Sequence, residues 1–311
     1  MIVAETFLSN ETYRRSVFDP SRGDGAAGID RPLVVQIAGR SPETLVACAL
    51  QLESHCDAID LNLGCPQQRA KDGGYGAYLL PRAEWECVRA IVEALVKALR
   101  VPVWCKIRLV PGANGLSAEF ARMLELAGCA LITVHGRYAS TTRRRNGLAD
   151  LAAIKAVKDA VTIPVMTNGN VRTFQDIEAN LSTTGADGIM VGEALLSNPW
   201  LFSGKEPDPT RIIHEYLSIC EQVHPAAFSI ASARQHVRNF LRSNLRSNNP
   251  KFKEDLGAAT NVDEIILLLH LYNFVRFEDG ARLIRNCCQP QEESFSDATT
   301  SSQKQLNDDP Q

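Results

Sequence analysis

The sequence has no long hydrophobic run, and no apolar stretch approaches the roughly 18–20 residues that a membrane span needs. It also has no basic N-terminal stretch followed by an apolar core, so we expect no secretory signal. Hydrophobic residues make up 45% and charged residues 22% of the 311 positions, which excludes a mainly disordered chain, a collagen-like fibre and a coiled coil. The length allows one large domain, or a domain of about 200 residues with a smaller companion.

The chain also lacks a strong charge of either sign. Its formal net charge is −3, so any surface that binds nucleic acid has to be local. The nine cysteines form no CxxC pair and no even-numbered disulfide framework, which argues against a zinc site and a secreted scaffold. We interpret most of them as small buried hydrophobes in a reducing compartment. We expect no membrane partner, no metal, a monomer, and an intracellular location in the cytoplasm, the nucleus or both.

Between about residues 33 and 200, short β-branched apolar runs alternate with longer amphipathic stretches. The alternation predicts a parallel sheet covered by helices. The predicted strands are residues 33–38, 58–63, 101–107, 130–134, 163–167 and 188–191, and the predicted helices are residues 42–55, 82–99, 116–127, 150–160 and 173–183. Ser41 and Thr173 are predicted helix N-caps. Six strands at this spacing fit either an open doubly wound sheet or most of a (β/α)8 barrel.

Polar and glycine residues close nearly every predicted strand, and they favour the barrel. A (β/α)8 barrel collects reactive groups at the carboxyl ends of all its strands, whereas a doubly wound sheet concentrates them at one crevice. The strand-end residues are Gln36, Gly39, residues 62–66, Lys106, Arg108, residues 135–137, residues 168–170 and residues 192–193.

Cys65 differs from the other cysteines because it follows a predicted strand and lies between Gly64 and Pro66. A glycine-rich segment at residues 72–77 comes soon after it. A thiol in such a loop can act as a nucleophile or, when protonated, as a general acid. We interpret Cys65 as the catalytic candidate, and the alternative is a buried structural cysteine.

Two successive strand ends carry basic residues two positions apart. Lys106 and Arg108 lie on one side of their strand, and His135 and Arg137 repeat the spacing on the next. Because apolar helices cover the outside of a barrel, we expect these side chains to point inward, towards an anionic cofactor or substrate. The alternative is a strand end that lies in solvent.

The last two predicted strands end in Asn168-Gly169-Asn170 and in Gly192-Glu193. In many barrels the loops after the last two strands hold a phosphate through backbone N–H groups, and glycine permits the close approach. Asn and Gly after a strand also form ordinary turns. This signal therefore gains its weight from its agreement with the basic strand ends.

After residue 199 the alternation stops, and residues 207–288 predict helices only. One predicted helix face carries an arginine at every fourth position, namely Arg234, Arg238, Arg242 and Arg246. Like charges at this spacing destabilise a helix, and a bound polyanion such as nucleic acid would offset the repulsion. The alternatives are a solvated face or partners on neighbouring helices. Arginines at positions 143–145 form a second basic cluster, and residues 290–311 predict a disordered acidic tail.

Several of these motifs together resemble the tRNA-dihydrouridine synthase family, in the family's order and at its spacing. Residues 60–66 (DLNLGCP) are similar to the family's Asp-x-Asn-x-Gly-Cys-Pro signature. Residues 105–108 (CKIR), 133–137 (TVHGR), 168–170 (NGN) and 198–199 (NP) also match. The resemblance covers about residues 1–285. Residues 57–76 and the Gly192-Glu193 pair look most similar to the eukaryotic class that modifies uridines 16 and 17 of the tRNA D loop.

The resemblance implies an FMN-binding (β/α)8 TIM barrel over residues 1–204, followed by a helical tRNA-binding domain over residues 205–289. It implies the NADPH-dependent reduction of a uridine C5–C6 double bond, with tRNA and NADPH as partners. Cys65 would protonate C5 from the face opposite to the hydride donor. The implied cofactor-binding residues are Gln36, Lys106, His135, Asn168, Gly169, Asn170, Gly192 and Glu193. The implied substrate-binding residues are Asn62, Arg108, Arg137, Arg234, Arg238, Arg242 and Arg246.

The chain differs from the family at its start. Family members begin with a strand carrying Ala-Pro-Met, a helix, and a second strand ending in Thr-Pro-Met, whereas this sequence begins at the position of the last Met. We therefore expect a barrel without its first βα unit, either because the sequence starts at an internal Met of a longer protein or because it is a shortened form. The alternative functions are a catalytically impaired tRNA-binding protein and an FMN barrel that reduces a free pyrimidine.

Overall fold

The computed structural model contains one sheet of seven parallel strands, each paired with its neighbours in chain order. The strands are β1 (Ile2–Val3), β2 (Val34–Ala38), β3 (Ala58–Leu63), β4 (Val103–Arg108), β5 (Leu131–His135), β6 (Val165–Asn168) and β7 (Gly188–Met190). The structure describes residues 1–28, 30–113, 115–140, 147–223, 229–242 and 248–274. The arginines at positions 143–145, Arg246 and the predicted tail lie outside these residues.

The order of the strands decides between the two predicted architectures. The pairing runs without reversal from β1 to β7, whereas a doubly wound sheet changes direction at a switch point. Helices connect most of the successive strands, so the parallel crossovers are those of a (β/α)8-type barrel. The predicted fold class, a TIM barrel, is confirmed, with seven strands among the described residues.

Strand β4 shows how sequence alternation separates the two faces of the sheet. Val103, Cys105 and Ile107 are fully buried beneath the helices, whereas Lys106 and Arg108 lie on the opposite, interior face. Successive side chains of a strand point to opposite faces, so a polar residue at every second position builds a polar interior wall. The prediction that both cations point inward agrees with this alternation.

Eight helices accompany the strands in the described part of the barrel. They are α1 (Ala4–Ser9), α2 (Glu11–Val17), α3 (Pro42–Leu52), α4 (Gln68–Asp72), α5 (Trp85–Ala98), α6 (Leu116–Leu126), α7 (Leu151–Lys158) and α8 (Gln175–Thr184). Helix α5 buries Val88, Ile91, Val92 and Leu95, the three- and four-residue spacing of an amphipathic helix that packs on a sheet. None of the helices in the described ranges is both long and apolar enough to cross a membrane.

The two predicted helix caps have different outcomes. Ser41 is the N-cap of α3, and its Oγ accepts the N–H of Thr44 at 3.2 Å. The prediction for Thr173 is wrong, because Phe174 holds the N-cap position of α8 without a side-chain bond. Thr173 instead exchanges hydrogen bonds with Asp176, whose carboxylate accepts the Thr173 N–H at 2.8 Å.

In the described chain after the barrel, the regular secondary structure is helical. The helices are α9 (Pro209–Val223), α10 (Ile230–Phe240), α11 (Pro250–Ala258) and α12 (Val262–Leu271). Their buried side chains form a hydrophobic cluster that is separate from the cluster of the barrel and includes Ile213, Val237, Leu256 and Ile265. Two separate clusters are what a larger domain with a smaller companion requires.

Candidate functional site

The interior wall of the barrel is polar at the carboxyl ends of its strands. Adjacent strands are in a register that places Asn62 beside Lys106, Arg108 beside His135, and His135 beside Asn168. The polar side chains on this wall are Gln36, Asp60, Asn62, Lys106, Arg108, Thr133, His135 and Asn168. The structure therefore brings the predicted strand-end residues to one mouth of the barrel.

The turn that carries Cys65 is held through its backbone on both sides. Its N–H donates to Asn62 Oδ1 at 2.9 Å, and its carbonyl oxygen accepts the N–H of Ala77 at 3.0 Å. Gly76 has φ +69°, and a Cβ at that position would lie 2.7 Å from the Cys65 oxygen. Glycine is therefore required there, and the thiol of Cys65 is only partly buried.

Lys106 is a buried cation with unused hydrogen-bond capacity. Its Nζ donates to Asn168 Oδ1 at 3.2 Å, and among the described residues its other two N–H groups have no acceptor. Burial lowers the pKa of Lys106 to about 8, while the carboxylate of Asp60 opposes that shift. An ammonium with two open donors in a polar cavity can bind an anionic or oxygen-rich ligand.

His135 is neutral and has a defined tautomer. Burial, followed by the charges of Arg108, Lys106 and Arg137, lowers its pKa to about 3. Arg137 Nη1 lies 2.9 Å from His135 Nε2, and because a guanidinium has only donors, Nε2 is the acceptor. The proton of the imidazole is therefore on Nδ1, which leaves a neutral donor at the mouth of the barrel.

Arg137 also ties this strand end to the next loop. Its Nη2 donates to Asn170 Oδ1 at 3.0 Å, and its Nε donates to the carbonyl oxygen of Gly147 at 3.0 Å. Asn170, at φ +62°, exchanges two hydrogen bonds with the backbone of Ala149. Arg137, predicted to bind substrate, and Asn170, predicted to bind the cofactor, thus form one cluster that holds the backbone at Gly147 and Ala149.

Arg108 is held against the Cys65 turn. Its Nε donates to the carbonyl oxygen of Gly64 at 2.9 Å, and its Nη1 donates to that of Tyr138 at 3.2 Å. Burial, followed by the nearby charge of Arg137, lowers its pKa. A guanidinium remains protonated in proteins, so the site keeps this positive charge next to Cys65.

The glycines at the last two strand ends expose backbone donors. Among the described residues, neither the N–H of Gly169 nor that of Gly192 donates a hydrogen bond to another protein atom. Gly169 has φ +122°, and Gly192 has no atom within 4 Å of a Cβ built on it. Two backbone N–H groups without a protein acceptor can donate to a phosphate.

The arginine face of α10 has several local partners. Arg234 Nη1 donates to the carbonyl oxygens of Gly257 and Ala259 at the end of α11. Arg242 Nη1 lies 3.1 Å from Glu193 Oε1, so the end of α10 is ion-paired with a barrel loop. Arg238 is exposed and has no hydrogen-bond or ion-pair partner among the described residues. The alternative of partners on neighbouring helices therefore holds for Arg234.

This difference predicts that two arginines on one helix contribute unequally to the free energy of unfolding. Replacing Arg234 with Met should lower the unfolding free energy by about 1–2 kcal/mol, because the carbonyls at the end of α11 lose a charged donor. Replacing Arg238 with Met should change it by less than about 0.5 kcal/mol. Thermal unfolding of both variants measures the contrast, and equal losses would contradict it.

Asp60 was not predicted as a site residue, although it lies on the interior wall. It is 4% exposed, its Oδ2 accepts from Gln36 Nε2 at 2.7 Å, and its Oδ1 has no hydrogen-bond partner in the part of the chain that the structure describes. The signal in the sequence is its position two residues before Asn62, which is the same spacing that indicated Lys106 and Arg108.

The charges and donors of the site as a whole suit an anionic organic ligand. The described residues contain no cluster of three or more side chains that could hold a metal ion. Three cations, Lys106, Arg108 and Arg137, lie at the strand ends, and the charge of Lys106 acts on the buried carboxylate of Asp60. The chain is therefore an α/β barrel protein with a cationic ligand site and a thiol at the carboxyl ends of its strands.

Comparison with known families identifies the group to which this barrel belongs. The sequence model of the family described as Dihydrouridine synthase (Dus) matches residues 1–253. The chain belongs to the dihydrouridine synthase family, as its motifs predicted.

Curated relatives agree with this assignment. A Rattus norvegicus protein named tRNA-dihydrouridine(16/17) synthase NAD(P)(+)-like is 38% identical over 300 residues, covering 93% of this chain and 66% of the relative. The tRNA-dihydrouridine(16/17) synthase of Saccharomyces cerevisiae is 37% identical, covering 78% of this chain and 58% of the relative. A Mus musculus protein named tRNA-dihydrouridine(20a/20b) synthase-like is 35% identical, covering 70% of this chain and 65% of the relative. The chain thus spans slightly less than two thirds of the length of these relatives.

Proposed function

We propose that this protein reduces the C5–C6 double bond of a uridine in the tRNA D loop, with FMN as the cofactor and NADPH as the reductant. The observation that carries the proposal is the meeting of the Cys65 turn with Arg108 of β4, beside the end of β5, at one barrel mouth. Membership of the dihydrouridine synthase family supports the reaction class.

The donors of the site fit a flavin mononucleotide. The open N–H groups of Lys106 suit the electron-rich edge of the flavin ring, with the amide of Gln36 on the same wall. The backbone donors at Gly169 and Gly192 suit its phosphate, and neutral His135 adds a further donor. Asn168, which accepts from Lys106 and donates to the Met190 carbonyl, would keep the ammonium in place.

In this proposal Cys65 is the general acid. The chemistry that the bound flavin supplies is the transfer of a hydride from NADPH to C6 of the uracil. The thiol of Cys65 donates its proton to C5 from the other face, so that two hydrogens are added across the double bond. Asn62 holds the turn that carries the thiol, and Arg108 provides positive charge beside it.

The uridine has to leave its stack to reach this mouth, as in other enzymes that act on a base. We propose that residues 1–204 form the catalytic domain and that residues 205–289 bind the tRNA backbone. Arg238 is the described cation best suited to a phosphate contact, because it is exposed and has no described partner. Its replacement by Met should lower the salt dependence of tRNA binding by about one unit of slope.

The proposed positions are uridines 16 and 17. The relatives from rat and yeast carry that specificity in their names at 38% and 37% identity, against 35% for the 20a/20b relative. Mapping dihydrouridine by position in modified tRNA tests this choice, and modification at 20a or 20b alone would contradict it.

Uptake of FMN by the purified 311-residue chain tests the cofactor. We expect a visible flavin absorption band that stays with the protein after gel filtration. The matched control is the Lys158→Met variant, which removes a lysine that pairs with Asp187 away from the site and should bind flavin normally. A folded chain that binds tRNA and takes up no FMN would support a non-catalytic tRNA-binding protein instead.

A further inference from the structure

Asp60 is the buried group on the barrel wall that the proposed mechanism leaves without a role. It is the one acidic residue on the seven described strands, and it has 4% exposure. A buried carboxylate is costly unless it is hydrogen-bonded and close to a positive charge. Its presence in the middle of the wall therefore needs a reason beyond packing.

A chain of hydrogen bonds leads from Asp60 to the backbone of Cys65. The sheet register places Gln36 beside Asp60, and Gln36 Nε2 donates to Asp60 Oδ2 at 2.7 Å. Asn62 Nδ2 then donates to Gln36 Oε1 at 2.8 Å. Asn62 Oδ1 finally accepts the N–H groups of Gly64 at 3.1 Å and Cys65 at 2.9 Å. Two side chains, those of Gln36 and Asn62, thus connect the carboxylate to the turn that carries the thiol.

The direction of this chain depends on the carboxylate. An ionised carboxylate only accepts hydrogen bonds, so it turns the NH2 group of Gln36 towards Asp60 and the oxygen of Gln36 towards Asn62. That orientation turns the oxygen of Asn62 towards the two backbone N–H groups. With the opposite direction, the NH2 group of Asn62 would face two other donors, and the turn would lose both bonds.

The surroundings keep Asp60 ionised at neutral pH. Burial raises the pKa of Asp60 to about 6, and the hydrogen bond from Gln36 and the charge of Lys106 oppose the rise. Above about pH 6 the carboxylate is therefore an acceptor only.

We infer that Asp60 is a positioning residue for Cys65, which acts through Gln36 and Asn62 to fix the turn that presents the thiol. The inference rests on the proposed function for its meaning in catalysis. Its physical content is the constraint on the Cys65 turn, and that constraint can be measured without tRNA or flavin.

The first test is the Asp60→Asn variant. Asparagine keeps the shape of the side chain, but its amide can also donate, so it no longer fixes the direction of the hydrogen bonds through Gln36 and Asn62. We expect iodoacetamide to alkylate Cys65 about fivefold faster than in the wild type, because the turn loses hydrogen bonds worth about 1 kcal/mol. Mass spectrometry of the peptide that contains Cys65 separates it from the other cysteines. The matched control is Asp57→Asn, which removes a carboxylate that bonds the N–H of Leu33 outside the chain of bonds.

A compensating swap separates positioning from a general structural role. In the double variant Asp60→Asn with Gln36→Glu, the carboxylate lies at position 36 instead of position 60. Asn62 then again donates to a group that can only accept hydrogen bonds. The alkylation rate of Cys65 should return to near that of the wild type. If Asp60→Asn does not fold, Gln36→Met interrupts the same chain and should give the same acceleration.

The results have distinct readings. An unchanged alkylation rate in Asp60→Asn, an equal acceleration in Asp57→Asn, or no recovery in the swap would each overturn the inference. With tRNA, Asp60→Asn should slow uridine reduction about fivefold. Flavin reduction by NADPH should keep its rate, since only uridine reduction uses Cys65. Absence of dihydrouridine with the wild type would count against the proposed function alone, because the alkylation test is independent of it.

Discussion

Replacing Cys65 with alanine is expected to lower the rate of uridine reduction by about 10²–10⁴-fold, the usual contribution of a general acid, while tRNA affinity stays within about twofold. The large effect follows from the geometry of the turn. Its backbone is fixed on one side by Asn62 and on the other by Ala77, which holds the thiol of Cys65 beside Arg108 at the strand ends.

The control for this experiment is Cys87→Ala. Cys87 is also a partly buried free cysteine, but it lies on α5, and its Sγ is near the carbonyl oxygen of Arg40. Its loss should leave the rate unchanged. Dihydrouridine formation by Cys65→Ala at the wild-type rate would show that another group donates the proton.

Replacing Lys106 with methionine is expected to lower uridine reduction by about 10²–10³-fold, the usual effect of removing one preorganised donor from a developing charge. The ammonium is positioned by Asn168, and its other two N–H groups have no acceptor among the described residues. Methionine has a similar length and no charge, so the wall should stay packed while the site loses its central cation. Retention of the wild-type rate would place the cofactor elsewhere.

The pH dependence of FMN binding gives a second measurement of the same role. The pKa of Lys106 is about 8, so the ammonium is charged below that pH and loses its proton as the pH rises through it. FMN affinity in the wild type should therefore fall above about pH 8. In Lys106→Arg the guanidinium stays charged, and the fall should disappear.

His135 should contribute no pH dependence in this range. Its pKa is lowered to about 3, so it is neutral from pH 5 upward, far from the usual transition of a histidine. A loss of FMN affinity centred between pH 6 and 7 that disappears in His135→Gln would contradict the assignment of a neutral donor.

The barrel could be predicted because its signals are local in the sequence. Apolar runs of strand length, amphipathic stretches between them and polar residues at the strand ends are all contained in short windows. Strand β5 ends one residue later than predicted, at His135. The grouping of Cys65, Lys106 and His135 follows from the rule that parallel strands end on the same side.

The partners of individual side chains could not be predicted in the same way. Arg234 bonds carbonyls that lie 23 and 25 residues further along the chain, and Arg242 pairs with Glu193 on a barrel loop. Such contacts depend on how helices pack, and the spacing of arginines on one helix contains no information about them. The exact start of a helix is also difficult to predict. The N-cap of α8 is Phe174, one residue after the predicted Thr173, and such a shift leaves the sequence signal unchanged.

Asp60 lies between these two cases. Its place in the DLNLGCP motif was visible, and the alternation with Asn62 put it on the interior wall. Its importance became apparent only from the direction of hydrogen bonds through Gln36, which is a property of side-chain orientation. The sequence therefore places this carboxylate on the wall, whereas its role follows from hydrogen bonds that only the structure shows.

The most direct test of the central claim is dihydrouridine formation in an unmodified tRNA transcript. The purified 311-residue chain would be incubated with the transcript, FMN and NADPH, and fragments of the product would be weighed by mass spectrometry. We predict a gain of two hydrogens at a D-loop uridine that requires NADPH and is abolished by Cys65→Ala. No gain of mass from a folded chain that holds FMN and binds the transcript would contradict the claim.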